Sequence, residues 1–166
     1  MSTDHWRPAY IGVGSNLDSP LDQVESGIRA LQNLPDSIVV LESALYQSEP
    51  LGPDNQPNYI NGVIALLTKL SPQDLLIELQ AIENAHGRSR TGERWGPRTL
   101  DLDLLAYANI ILDSEDLKLP HPGIAERNFV LLPWRGIAPN YTVPGLSSVE
   151  QLAGNAPDTP RIEQLN

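Results

Sequence analysis

Residues 94–103 read Arg-Trp-Gly-Pro-Arg-Thr-Leu-Asp-Leu-Asp, and nowhere else in the chain do a bulky aromatic, fixed cations and paired carboxylates stand so close together. After the Gly-Pro turn, Leu100, Asp101, Leu102, Asp103 and Leu104 alternate strictly. In a strand this puts both carboxylates on one face and the leucines on the other. Two carboxylates on one face repel, and a divalent cation can hold them together. Oxygen ligands with no Cys or His beside them favour magnesium over zinc. Magnesium commonly takes one or two carboxylates plus substrate phosphates, so a phosphorylated substrate is the next expectation. The bland alternative is a half-exposed strand with its leucines in the core and its aspartates in water. Against it stand Arg88, Arg90, Arg94 and Arg98, four of only eleven basic residues. With Glu93 among them, residues 88–98 still carry a charge of +3. Such a cluster suits a polyphosphate, whose oxygens arginine binds in bidentate fashion.

Several elements must position this stretch. Ala9 to Gly14 predicts a first strand, and Ser19-Pro20 a helix start with Ser at the cap, followed by the apolar stripe Leu21, Val24, Ile28 and Leu31. Residues 37–46 predict a second strand with Glu42 and Ser43 turned to solvent, and residues 47–58, with four prolines or glycines, a shaped loop. Tyr59 to Thr68 predicts a third strand with Tyr59 and Asn61 on one face. Ser71-Pro72 repeats the cap-and-proline start, and Leu75, Leu76, Leu79 and Ile82 define a second helix ending near His86-Gly87. With the aspartate strand last, the order strand, helix, strand, strand, helix, strand is an α+β, ferredoxin-like unit. Its antiparallel sheet carries both helices on one face and leaves the other for loops and ligand. A C-terminal extension follows: a hairpin from residues 110–112 and 117–119, then a short helix over 124–132 ending before Pro133. Between them His121 sits between two prolines, an extended and exposed setting that favours function over core packing. Residues 1–8 and 154–166 are expected to be flexible, with a helical turn near 148–152.

The chain's 166 residues fit one domain spanning 1–166, and 40% hydrophobic content is ordinary for a globular protein. A net charge of -10 disfavours nonspecific attraction to nucleic acid or an acidic membrane. The absence of cysteine excludes disulfides, thiolate metal sites and cysteine nucleophiles. No signal-peptide pattern and no membrane-length apolar run occurs, so a cytoplasmic protein is expected. No phosphate-binding Gly-x-x-x-x-Gly-Lys-Ser/Thr loop and no dinucleotide fingerprint is present, so any ATP site must use another device.

Residues 94–103, together with Gly14-Ser15-Asn16-Leu17, Pro50-Leu51-Gly52-Pro53 and Pro120-His121-Pro122, closely resemble the 6-hydroxymethyl-7,8-dihydropterin pyrophosphokinases of folate biosynthesis, in matching order over about residues 9 to 146. The resemblance implies transfer of the β,γ-pyrophosphate of ATP to the hydroxymethyl group of the dihydropterin. It implies two Mg2+ ions held by Asp101 and Asp103, and Arg88 and Arg98 as transition-state cations. Arg90, His121 and Arg127 would reach ATP, with Gln80, Glu83 and Leu104 lining the nucleotide site. Tyr59 and Phe129 match the pair that sandwiches the pterin, Asn61 the residue that reads its edge, Ser48 and Leu51 further polar contacts, and Trp95 a lid. ATP and the dihydropterin are the implied partners of a monomer. Two positions depart from the family pattern: Glu49 stands where proline is common, and Pro122 where some relatives carry an aromatic.

Two other readings compete. Ferredoxin-like sheets can bind RNA through strand aromatics, but the acidic charge, the missing aromatic-glycine strand motif and the aspartate pair oppose it. A different magnesium-dependent phosphotransfer or nuclease activity could use the same two aspartates.

Overall fold

A computed structural model describes residues 2–17, 19–49, 57–87 and 99–165. Its frame is an antiparallel sheet of β1 (Ser2–Ser15), β2 (Ser37–Glu42), β3 (Tyr46–Ser48), β4 (Tyr59–Leu70), β5 (Asp101–Tyr107) and β8 (Ile162–Gln164). The order is β5-β1-β4-β3-β8, with β2 pairing the far half of β4. Helices α1 (Pro20–Leu31) and α2 (Pro72–Ala85) lie on one face. There Val24, Ile28, Leu31, Leu75 and Leu79 form a core with Ile11, Val13, Ile64, Leu66, Leu102 and Leu104. This is the ferredoxin-like arrangement that the element order predicts.

The second strand divides in two. The break falls at Ser43, whose backbone N–H still donates to Val63 O while its hydroxyl accepts the Val63 N–H and donates to the carbonyl of Ala44. The other face of the sheet is not left wholly to loops and ligand. It carries a second core in which α3 (Asn128–Ile137) and α4 (Val149–Gly154) set Leu131, Trp134 and Val149 against Val63 and Leu105. The helix expected over 124–132 is instead a 3-10 turn at Ile124–Glu126, followed by α3, which runs through Pro133. Burial of Leu131 and Trp134 offsets the backbone hydrogen bond that Pro133 cannot make. Leu21, assigned to the stripe of α1, is exposed.

At the two ends, β1 starts at Ser2 and β8 pairs with β3, beyond the strands that the sequence predicts. Neither carries a strong local strand pattern; each takes its conformation from a partner distant in sequence. The hairpin forms as expected from β6 (Leu112–Asp113) and β7 (Lys118–Leu119), tied by the Lys118–Asp113 ion pair at 2.8 Å.

Candidate active site

The leucine-aspartate alternation resolves as its period requires. Leu100, Leu102 and Leu104 are buried, while Asp101 and Asp103 are half-buried on the opposite face of β5. Register then links them to the rest of the sheet. Asp101 pairs with Gly14 and Asp103 with Gly12 across β1, while Gly14 and Gly12 pair with Asn61 and Val63 of β4. Asp101, Gly14 and Asn61 therefore form one row across three strands. Without a side chain on Gly14, the Asn61 amide can pack directly over the β1 backbone.

The Asn61 side of this row is hydrogen-bonded. Asn61 is buried and its Nδ2 donates to Ser48 Oγ at 3.1 Å, while Tyr59 pairs in register with Ser48. Phe129, the second residue of α3, is half-buried in the second core, on the same face of the sheet as Tyr59 and Asn61. Asn16, whose role the sequence does not reveal, is fully buried and donates to the carbonyl of Pro57 at 3.2 Å, fixing the entry to β4.

The opposite side converges on Asp103. Arg127 Nη1 lies 3.8 Å from Asp103 Oδ2, and His121 is fixed by its N–H to the carbonyl of Leu105 at 2.8 Å. The imidazole Nδ1 accepts the N–H of Gly123 at 3.1 Å, which leaves Nε2 as the nitrogen that can meet a ligand. Burial pushes the His121 pKa below its ordinary 6.5; Asp103 pulls it up and Arg127 pushes it down. Arg127 packs closely over Gly123, where an added Cβ would stand 2.7 Å from Nε and displace the guanidinium. Beside them opens a cavity of about 280 Å³ between α2, β5 and the hairpin. It is lined by Leu76, Leu104 and Leu117 on its apolar walls and by Asp103, Asp116 and His121 among its polar groups. In the sequence Leu76 belongs to the apolar stripe of α2 and Leu117 to the hairpin, where each looks like ordinary core rather than a site residue.

Two further positions assigned to the nucleotide site lie on α2. Gln80 is exposed on α2 and outside the lining of the cavity. Glu83 is buried, and its carboxylate accepts the N–H of Leu102 at 2.8 Å, beneath the two aspartates. Arg88, Arg90, Trp95, Arg98 and Leu51 lie outside the described residues.

Comparison with known proteins decides the family. The family model of 7,8-dihydro-6-hydroxymethylpterin-pyrophosphokinase (HPPK) matches residues 10–139, which contain every site residue above. The chain belongs to the HPPK family. A Haemophilus influenzae 2-amino-4-hydroxy-6-hydroxymethyldihydropteridine pyrophosphokinase is 43% identical over 93% of this chain and 96% of its own length. A Pseudomonas aeruginosa protein of the same name is 45% identical over 89% and 91%. Among solved structures, Plasmodium falciparum HPPK-DHPS with pteroate superposes with a TM-score of 0.69 at 12% identity, a likeness of fold. It covers 90% of this chain, which spans 42% of that one. Helix α4 and strand β8 lie beyond the residues matched by the HPPK model.

Proposed function

We propose that this HPPK-family chain transfers the β,γ-pyrophosphate of ATP to the hydroxymethyl group of 6-hydroxymethyl-7,8-dihydropterin, giving AMP and the dihydropterin diphosphate. The family makes it a pyrophosphokinase of folate biosynthesis. The observation that carries the detailed reading is the row Asp101, Gly14, Asn61, which with Asp103 two residues along β5 sets two carboxylates and an amide suited to a pterin edge on one face of the sheet.

The donor set suits magnesium. Asp101 and Asp103 offer hard oxygens, and among the described residues no group of three or more His, Cys, Asp or Glu forms a metal cage. Two carboxylates with room for substrate phosphates are what magnesium accepts. Two ions are assigned to the pair. When bound, they supply charge neutralisation for the polyphosphate.

In the reaction the pterin hydroxyl oxygen bonds to the β-phosphorus as the bridging bond to the α-phosphate breaks. Most of the rate in such a transfer comes from positioning and charge stabilisation. Arg127 and the Nε2 of His121, beside Asp103, are assigned to the phosphates. The cavity walled by Leu76, Leu104 and Leu117 suits the flat, apolar faces of the base. Tyr59 and Phe129 are assigned to stacking on the pterin, with Asn61 and Ser48 on its hydrogen-bonding edge. Arg88, Arg90 and Arg98 complete the phosphate site in this reading, while Leu51 and Trp95 enclose the pterin. Glu83 supports β5 from below, and Gln80 is the peripheral member of the nucleotide set.

The test is AMP formation from ATP and magnesium, with and without the dihydropterin, by the native chain and by Asp103→Ala. Acceptor-dependent AMP that falls by several orders of magnitude in the variant is expected. AMP formed without regard to the acceptor would replace this reading with another phosphotransfer or a hydrolysis.

A further inference from the structure

Beyond the residues that meet either substrate, one segment is bonded to both sides of the acceptor site. Strand β3 ends at Ser48, the partner of Asn61, and is only three residues long. On one side it pairs with β4; on the other, Ser48 pairs with Ile162, Gln47 with Glu163 and Tyr46 with Gln164 of β8. The ladder continues past both ends of β8. Glu49 N–H donates to the carbonyl of Arg161 at 3.2 Å, and Leu165 N–H to that of Leu45 at 2.8 Å. Without this second ladder, β3 would be a short edge strand carrying the Ser48 end of the site on a single row of bonds.

The same segment reaches the other wall. Asn128 stands between Arg127 and Phe129 at the first residue of α3 and is 2% exposed. Its Nδ2 donates to the carbonyls of Pro157 at 3.1 Å and Pro160 at 2.7 Å. Its Oδ1 has no hydrogen-bond partner among the described residues. An unpaired buried acceptor costs about 1–3 kcal/mol, so the two donated bonds are what retains an amide rather than an apolar side chain.

We infer that residues 157–165 are a strap that holds Ser48 and Asn61 on one side and Phe129 on the other in the spacing the pterin needs, with Asn128 as its buckle. Asn128 is a positioning residue and touches neither substrate. The strap rests on the pterin assignment made above and adds to it a segment outside the span that defines the family. A site held at the right spacing before binding loses less ordering free energy when its ligand arrives. Loosening the strap therefore weakens pterin binding and leaves ATP, bound around Asp103 and the hairpin, almost untouched.

The full chain carrying Asn128→Ala tests the buckle, and Glu163→Pro tests the strap. The bonds at Glu49/Arg161 and Leu45/Leu165 place Gln47/Glu163 at the next hydrogen-bonded position by antiparallel alternation, so proline there deletes a ladder N–H while an exposed side chain changes. Glu163→Ala keeps that N–H and is the control. With helix and sheet content shown by circular dichroism to be native, the KM for the dihydropterin should rise roughly tenfold in the first two variants, the KM for ATP should stay within about twofold, and Glu163→Ala should behave as native. Unchanged pterin KM, or an equal rise in both constants, overturns the strap.

A measurement on the native chain covers variants that fail to fold. Adding 6-hydroxymethyl-7,8-dihydropterin should slow hydrogen exchange at the amides of residues 161–165, and adding ATP alone should not. No slowing with pterin overturns the strap as well. Failure of the native chain to make AMP falsifies the pyrophosphokinase reading, and the exchange result with pterin still decides the strap.

Discussion

A Cβ placed on Gly14 would stand 2.6 Å from Oδ1 of Asn61. The side chain of Asn61 is buried and held to Ser48, so it has little room to give way. Gly14→Ala must therefore rotate the amide or push β1 from β4. Overpacking of this kind costs about 1–3 kcal/mol, and it falls on the residue assigned to the pterin edge. We expect a loss of stability in that range by urea titration and a rise in pterin KM of about tenfold or more. Gly12 is the matched control. An added Cβ there would come no closer than 3.5 Å to its nearest neighbour, Leu105, so Gly12→Ala should change both quantities little.

Glu83 gives a second prediction. Strand β5 is an edge of the sheet, and the N–H of Leu102 turns away from β1 to the Glu83 carboxylate. Leu102 lies between the two aspartates, so this bond sets their backbone. Glu83→Ala leaves a buried N–H without its acceptor, at about 1–3 kcal/mol. Glu83→Gln keeps an oxygen in place. The magnesium concentration giving half-maximal AMP formation should rise severalfold in the alanine variant and return close to native in the glutamine variant. Equal defects in both variants would show that the carboxylate's charge matters rather than its bond to Leu102.

The pH dependence of the ligand-free protein follows from His121. Its folded pKa lies below 6.5, chiefly because the imidazole is buried. Below 6.5 the unfolded chain takes up a proton at this residue that the folded chain declines. Stability must therefore fall as pH drops from 6.5 toward the folded pKa, and flatten once both states are protonated. Urea midpoints of native and His121→Gln protein between pH 7.5 and 5.5 check this. The native midpoint should fall further over that interval than the variant's, and parallel curves would remove His121 as the source.

How much of this was readable from the chain depends on the range of the interaction. The alternation at Leu100 to Asp103 fixed which face the carboxylates take, because period two is a local property of a strand. The order of elements led to the ferredoxin-like sheet, whereas His121, expected to be exposed between its prolines, is partly buried. What escaped was set by partners far along the sequence. Residues 162–164 carry no strong strand pattern and are ordered by β3 more than a hundred residues earlier. The helix through Pro133 contradicts the local rule because a buried tryptophan and leucine outweigh it. Glu83 reads as a nucleotide contact in the sequence, and only the fold shows that its carboxylate holds the backbone of β5. The role of Gly14 emerges only from register, which sets it between Asp101 and Asn61.

Ser19-Pro20 and Ser71-Pro72 look alike in sequence and differ in the folded chain. Ser71 has extended backbone and its hydroxyl accepts the N–H of Asp74 at 3.1 Å, so it caps α2. Ser19 is left-handed, at φ 63, and makes no side-chain cap bond. A real cap contributes about 1 kcal/mol, and a serine that makes no such bond contributes little. Ser71→Ala should lower unfolding stability by about 1 kcal/mol, whereas Ser19→Ala should stay within about 0.5 kcal/mol of native. Ser19→Gly should be neutral or stabilising, since glycine adopts a positive φ without the steric cost that serine bears. Urea unfolding of the three variants measures these differences directly. A Ser19→Ala loss equal to that of Ser71→Ala would mean that Ser19 caps α1 in solution after all, with its backbone turned to the extended region.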